Sequence, residues 1–164
     1  EVCGLVKQPL RLTLADLVSM DRQTQITEHN CIQGWSYIAE WSGVPLRAVL
    51  ERCQPLPEAR YVVLHAIDNK SESEPDPEGP GSFYETIYLA LAKDSQTLLA
   101  YEMNGERLSI PHGAPVRLRV ETQLGFKMVK WLKAIEFVAS YADIGEGQGG
   151  WREDFQHYSP DASI

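Results

Sequence analysis

Apolar and polar residues alternate along this chain in short runs, and those runs predict its elements. "QTQIT" (23–27) alternates strictly and predicts a strand running up to Cys31. "APVRLRVET" (114–122) alternates as cleanly, which sets Arg117 and Arg119 on one face of a strand. "ARYVVLHAI" (59–67) is almost continuously apolar and β-branched, the pattern of a buried strand. "EVCGLV" (1–6) predicts another. In "QPLRLTLADLVSM" (8–20), a turn at Pro9 and a short strand precede a short helix, with Thr13 as its cap and Asp16 three residues on. "SGVPLRAVLERC" (42–53) predicts a turn and then a helix. Ser42 is its candidate cap, Pro45 suits its first turn, and Leu46, Val49 and Leu50 share a face. Asn104–Gly105, set between apolar runs, predicts a hairpin. "LGFKMVKWLKAIEFVAS" (124–140) predicts a glycine turn leading into a strand.

Two stretches lack periodicity. Residues 68–82 hold five acids among prolines and glycines and predict a mobile acidic loop. Residues 143–164, rich in glycine and aromatic side chains, predict an irregular tail. Many short strands with few short helices, and no regular strand–helix alternation, predict one β-rich α+β domain with a mixed sheet over residues 1–164. The chain starts at Glu1, inside a predicted strand and without an initiator methionine, as expected of a mature or trimmed form.

Charge changes the picture in one place. The formal net charge is −8, which argues against a nucleic-acid partner. Yet residues 117–133 carry Arg117, Arg119, Lys127, Lys130 and Lys133 against one acid, Glu121. Such a basic cluster in an acidic chain fits either a small anionic ligand or a solvated basic face.

The candidate chemistry centres on "HNCIQGW", residues 29–35. A thiolate at Cys31 would serve as a nucleophile or as a ligand for a soft metal. His29, two residues away, would face the same side of an extended segment and could act as its base. Residue type alone favours a packing cysteine. Cys3 and Cys53 would pair in an oxidising compartment and stay free in a reducing one. Zinc is disfavoured, because no paired Cys or His spacing occurs. In "PHGAPVRLRV" a turn leads to Arg117, and in "LGFKMVKW" Gly125 would let backbone amides approach an anion that Lys127 and Arg117 clamp.

The ordered set "HNCIQGWS…WSGVPL", "ARYVVLHA", "LLAYEMNGERLSIPHGAPVRLRV" and "GFKMVKWLKAIEFV" resembles the molybdopterin-binding domain of the sulfite oxidase family. It is most similar to the bacterial branch that includes the catalytic subunit of the periplasmic methionine sulfoxide reductase. The resemblance implies a molybdenum–molybdopterin cofactor with Cys31 as the protein's metal ligand. It implies an oxidoreductase that moves an oxygen atom to or from a small molecule. It also implies a periplasmic location and electron transfer with a haem or cytochrome partner, including a membrane-bound subunit. His29, Asn30, His65, Ala66, His112, Arg117, Gly125, Phe126 and Lys127 become candidate cofactor contacts, with Arg117 and the "GFK" segment on the pterin phosphate. Tyr84 becomes a candidate proton donor or pocket wall. The relatives carry a hydroxyl residue where this chain has Ala66, and no arginine cluster suited to sulfite sits beside Cys31. The competing reading is a degenerate, non-catalytic pterin-binding module of the same fold.

Overall fold

A computed structural model describes residues 1–67 and 82–164. The predicted acidic loop, 68–82, therefore lies outside the described residues except for Ser82. In chain order the elements are β1 (Val2–Gly4), α1 (Leu14–Val18), β2 (Gln23–Asn30), β3 (Ser36–Pro45), α2 (Leu46–Cys53), β4 (Tyr61–Ala66), β5 (Tyr84–Tyr88), α3 (Leu89–Ala92), β6 (Leu98–Met103), β7 (Glu106–Arg107), β8 (Arg117–Arg119), β9 (Leu132–Val138) and α4 (Trp151–Gln156). Single 3₁₀ turns occupy Ile110–His112 and Gly125–Lys127.

The strands form two sheets. One has the order β1-β9-β4-β5, with β1 parallel to β9 and the other pairs antiparallel. The other runs β2-β3-β6-β7, with β8 also paired to β6. Val62, Leu64, Ile87, Ile135 and Phe137 of the first sheet meet Val44, Leu99, Tyr101 and Leu118 of the second in a single core. Leu46, Val49, Leu50 and Cys53 from α2 join it. The predicted α+β, β-rich single-domain architecture is what forms, with smaller clusters around Trp41 and Trp151 beside the main core. Each Leu-sized side chain sealed in that core contributes on the order of 2 kcal/mol.

Local chemistry accounts for most boundaries. Thr13 and Asp16 cap α1 reciprocally, as expected. Asn104 (φ 52°) and Gly105 (φ 78°) make the β6–β7 turn in the left-handed conformations that such a hairpin requires. Ser42 does not cap α2. It lies inside β3, where its hydroxyl meets Thr24 and accepts from Arg22, and Pro45 leads directly into the helix. Cys3, Cys31 and Cys53 are all free thiols. Cys53 is fully buried, and burial pushes its pKa up to about 11, which fits a packing role.

The tail is not irregular throughout. Gly150 bridges Glu85 on the open edge of β5, and α4 follows. Trp151 packs with Val63 and Tyr84 on the face of the first sheet turned away from the main core. The continuous apolar run in β4 now has its reason, because both faces of that strand are covered. The tail is also held by charge. Lys127 Nζ donates to Glu85 (3.0 Å), to the Thr86 carbonyl (3.2 Å) and to Glu153 of α4. Lys127, Glu85 and Glu153 are each no more than 1% exposed. One ammonium faces two carboxyls away from water. Burial, opposed by Lys127 and reinforced by Glu153, pushes the Glu85 carboxyl well above its usual range.

Removing one partner of such a cluster leaves uncompensated buried groups. Lys127→Met is expected to cost about 3–5 kcal/mol in urea denaturation, and to expose the 143–164 tail to limited proteolysis before the rest of the chain unfolds.

Candidate functional site

β2 ends at Asn30, and the chain turns back through Cys31–Trp35 into β3. The turn is closed by the Cys31 amide donating to the Trp35 carbonyl (2.9 Å) and the Gly34 amide donating to the Cys31 carbonyl (3.0 Å). Gly34 adopts φ 87°, a left-handed conformation in which a side chain would be strained. This turn holds Cys31 half-exposed on the wall of a cavity of about 630 Å³, a size common for cofactor and small-molecule sites.

Several regions of the chain build the cavity, and Phe83 and Met103 are among the residues that line it. The β2–β3 hairpin supplies His29, Cys31, Trp35 and Tyr37, and the segment before β8 supplies Pro111 and His112. Arg117, Gly125, Phe126, Met128, Lys130 and Trp131 form the floor, and Arg152 and Tyr158 come from the tail. Arginine and lysine line this cavity, and no aspartate or glutamate does among the described residues.

Arg117 is 4% exposed. Its guanidinium donates to the carbonyls of His112 (3.1 Å) and Met128 (3.2 Å) and lies 5.0 Å from the ring centre of the buried Trp41. Its Nε has no hydrogen-bond partner among the described residues. Burial and the neighbouring Arg119 bring its pKa down to about 10, so it remains charged at neutral pH. A buried cation with a donor to spare on a cavity wall suits an oxyanion.

His29 is 6% exposed and clusters with Trp35 and Tyr37, with ring centres 5.7 and 5.0 Å away and the two other rings 6.0 Å apart. Its Nδ1 lies 2.8 Å from Arg119 Nη1. Arginine can only donate, so Nδ1 accepts and the ring proton of neutral His29 sits on Nε2. Burial, then the charges of Arg119 and Arg117, lower its pKa to about 4. The Nε2 edge faces Gly125 so closely that an added Cβ there would lie 2.3 Å away. Gly125 is therefore required by close approach to the ring.

Of the predicted site residues, the structure gathers His29, Cys31, His112, Arg117, Gly125 and Phe126 around the cavity. Asn30 is half-buried beside it and is not among the lining residues. His65, Ala66, Tyr84 and Lys127 do not line it. His65 pairs with Glu136 (2.9 Å) on the sheet surface, and Ala66 is packed in the core. Tyr84 donates to Asp154 and to the Ile144 carbonyl (3.3 Å) behind the first sheet. Burial and the hydrogen bond to Asp154 push its hydroxyl pKa well up. Lys127 is taken up by Glu85 and Glu153. The cavity residues that sequence pattern did not reveal are chiefly Arg152 and Tyr158. The available signal was Trp151 and Phe155, four apart after a glycine run, which pack at 5.5 Å as one helical face.

The two sheets and the tail thus frame a basic, aromatic cavity of cofactor size. Residues 1–143 match the family described as "Oxidoreductase molybdopterin binding domain", and the chain belongs to that family. It is 33% identical over 154 residues to the putative protein-methionine-sulfoxide reductase subunit YedZ1 of Azospira oryzae, covering 94% of this chain and 52% of that protein. It is 31% identical over 142 residues to the catalytic subunit MsrP of Campylobacter jejuni, covering 84% and 48%. It is also 36% identical over 166 residues to a nitrate reductase of Betula pendula, covering 87% and 18%. The chain thus spans about half the length of the curated methionine-sulfoxide reductase relatives it matches. The sulfane dehydrogenase SoxCD of Paracoccus pantotrophus superposes with TM-score 0.72 at 25% identity, covering 85% of this chain and 37% of that one.

The residues present fit the family's cofactor. A half-exposed soft thiol, an unmatched buried guanidinium donor and a cavity wall without carboxylates meet in one place.

His29 should leave a signature in stability. Its folded pKa lies below the unfolded value of 6.5, so the unfolded state binds the extra proton first. Stability contributed by neutral His29 is complete above pH 6.5 and is lost as pH falls toward 4, by roughly 3 kcal/mol. Denaturation of wild type and His29→Gln at both ends of that window should show this difference. Parallel pH profiles would contradict it.

Proposed function

We propose that this chain is the molybdopterin-binding catalytic domain of an oxidoreductase, with Cys31 as the protein's ligand to molybdenum. The single observation that carries the reading is the convergence of the Cys31 thiol and the buried Arg117 guanidinium on one cavity. When bound, the cofactor supplies two-electron redox chemistry and oxygen-atom transfer.

The chain's own residues do the holding and shielding. Cys31 offers the soft thiolate. Arg117, fixed by two backbone carbonyls and stacked on Trp41, offers a preorganised charge for the pterin's terminal phosphate. His29 is kept neutral and presents an Nε2–H beside Gly125. Trp35, Tyr37, Phe126 and Trp131 give the cavity aromatic walls that displace water. Asn30, beside Cys31 in sequence, acts through the backbone of the turn.

Electrons would pass between this domain and a haem or cytochrome partner, and the setting would be periplasmic. Likeness to methionine-sulfoxide reductase subunits supports both points. No helix among the described residues is long and apolar enough to cross a membrane.

The test uses protein produced in a host that supplies the cofactor. Wild type should carry molybdenum and pterin near stoichiometry. Cys31→Ser should lose a sulfur neighbour of the metal in X-ray absorption, and Arg117→Gln should lose most of its pterin while keeping its far-UV circular dichroism. Wild type that takes up neither metal nor pterin, or a sulfur shell untouched by Cys31→Ser, would refute the reading.

A further inference from the structure

Sequence reasoning paired Arg117 with Lys127 as the two cations facing an anion. The structure separates them. Lys127 is sealed between Glu85 and Glu153, and its charge is spent there. The same contact anchors α4. Glu153 and Asp154 are both buried, Glu153 on Lys127 and Asp154 on Tyr84 and the amides of Glu146 and Gln148 (3.0 Å each). Those two residues directly follow Arg152, so the backbone at Arg152 has little freedom. Arg152 is half-buried and lines the cavity. Its guanidinium lies 5.8 Å from the Trp151 ring centre and 6.0 Å from that of Tyr158. Tyr158 in turn meets Phe126 edge-on at 5.3 Å, on the turn that contains Lys127. The residues that match the family end at 143, so this wall is built by the segment beyond the match.

We infer that Arg152, delivered by the anchored tail helix, is the second arginine of the cavity's oxyanion site, and that it binds a phosphate or similar tetrahedral oxyanion together with Arg117. Lys127 acts on that site indirectly, by placing Arg152. A chain with net charge −8 would otherwise repel such a ligand. Arg152 Nη1 donates to Gln156, and a guanidinium carries further donors with which to meet a tetrahedral oxyanion, which a lone lysine cannot match in shape. The inference rests on the cavity assigned above, and the oxyanion could be the cofactor's terminal phosphate or an oxyanionic substrate.

The experiment compares wild type, Arg152→Gln, Arg152→Lys and Lys133→Gln, the last removing an exposed cation outside the cavity. Inorganic phosphate is titrated into cofactor-free protein by calorimetry, and pterin content is measured on protein from a cofactor-supplying host. Arg152→Gln should weaken phosphate binding about tenfold, the loss expected for one charge-assisted contact. Arg152→Lys should recover part of it, and Lys133→Gln should match wild type. A parallel fall in pterin content assigns the site to the cofactor, and unchanged pterin with weakened phosphate assigns it to substrate. Equal phosphate affinity and equal pterin content in wild type and Arg152→Gln would overturn the inference. If wild type itself takes up no pterin, the functional reading fails, and the phosphate titration still decides for or against Arg152.

Discussion

One ammonium group, Lys127 Nζ, joins three parts of this molecule that are far apart in sequence. It lies between Glu85 on β5 and Glu153 on α4, and it belongs to the turn that carries Gly125 and Phe126. All three charged groups are excluded from water. A buried cluster of this kind adds little net stability compared with well-packed apolar residues, but leaving it half-made is costly. Its consequence is therefore geometric. It admits one arrangement of the tail against the sheet edge, and that arrangement fixes the wall of the cavity.

A second buried cation, Arg119, does comparable work behind His29. It is fully buried beneath the hairpin, ion-paired to Glu121 at 2.5 Å, 4.3 Å from the Trp41 ring centre and bonded to His29. It determines which nitrogen of His29 carries the proton and so which kind of group the cavity meets. Arg117 and Arg119, two apart on β8, share Trp41 as a common surface. Of the five cations in 117–133, Arg117 serves the ligand, Arg119 a histidine and Lys127 the tail, while Lys130 lines the cavity and Lys133 is exposed outside it.

The strands and the core were legible because period-two alternation and β-branched content act locally. β2, β4, β8 and β9 follow from that pattern, and so do the Thr13 cap and the Asn104–Gly105 turn. Ser42 was misassigned for an equally local reason. A serine ahead of a helix looks like a cap, but pairing with β2 and β6 extends β3 through Pro45. Part of the site was also legible. Cys31, His29, His112, Arg117, Gly125 and Phe126 lie close to turns or on one face of a strand, so pattern and resemblance located them. His65, Ala66, Tyr84 and Lys127 entered the prediction through the family resemblance, and among the described residues they do not line the cavity.

By itself, then, the order of residues determined the elements and the main core, because those follow from local conformational preference and hydrophobic pattern, and the family resemblance pointed to Cys31 and Arg117. Only the tertiary structure decided what each charge faces. Desolvation pairs a buried lysine with whichever carboxylates the sheet edge and the tail bring to it. That pairing takes Lys127 out of the cavity and brings Arg152 in.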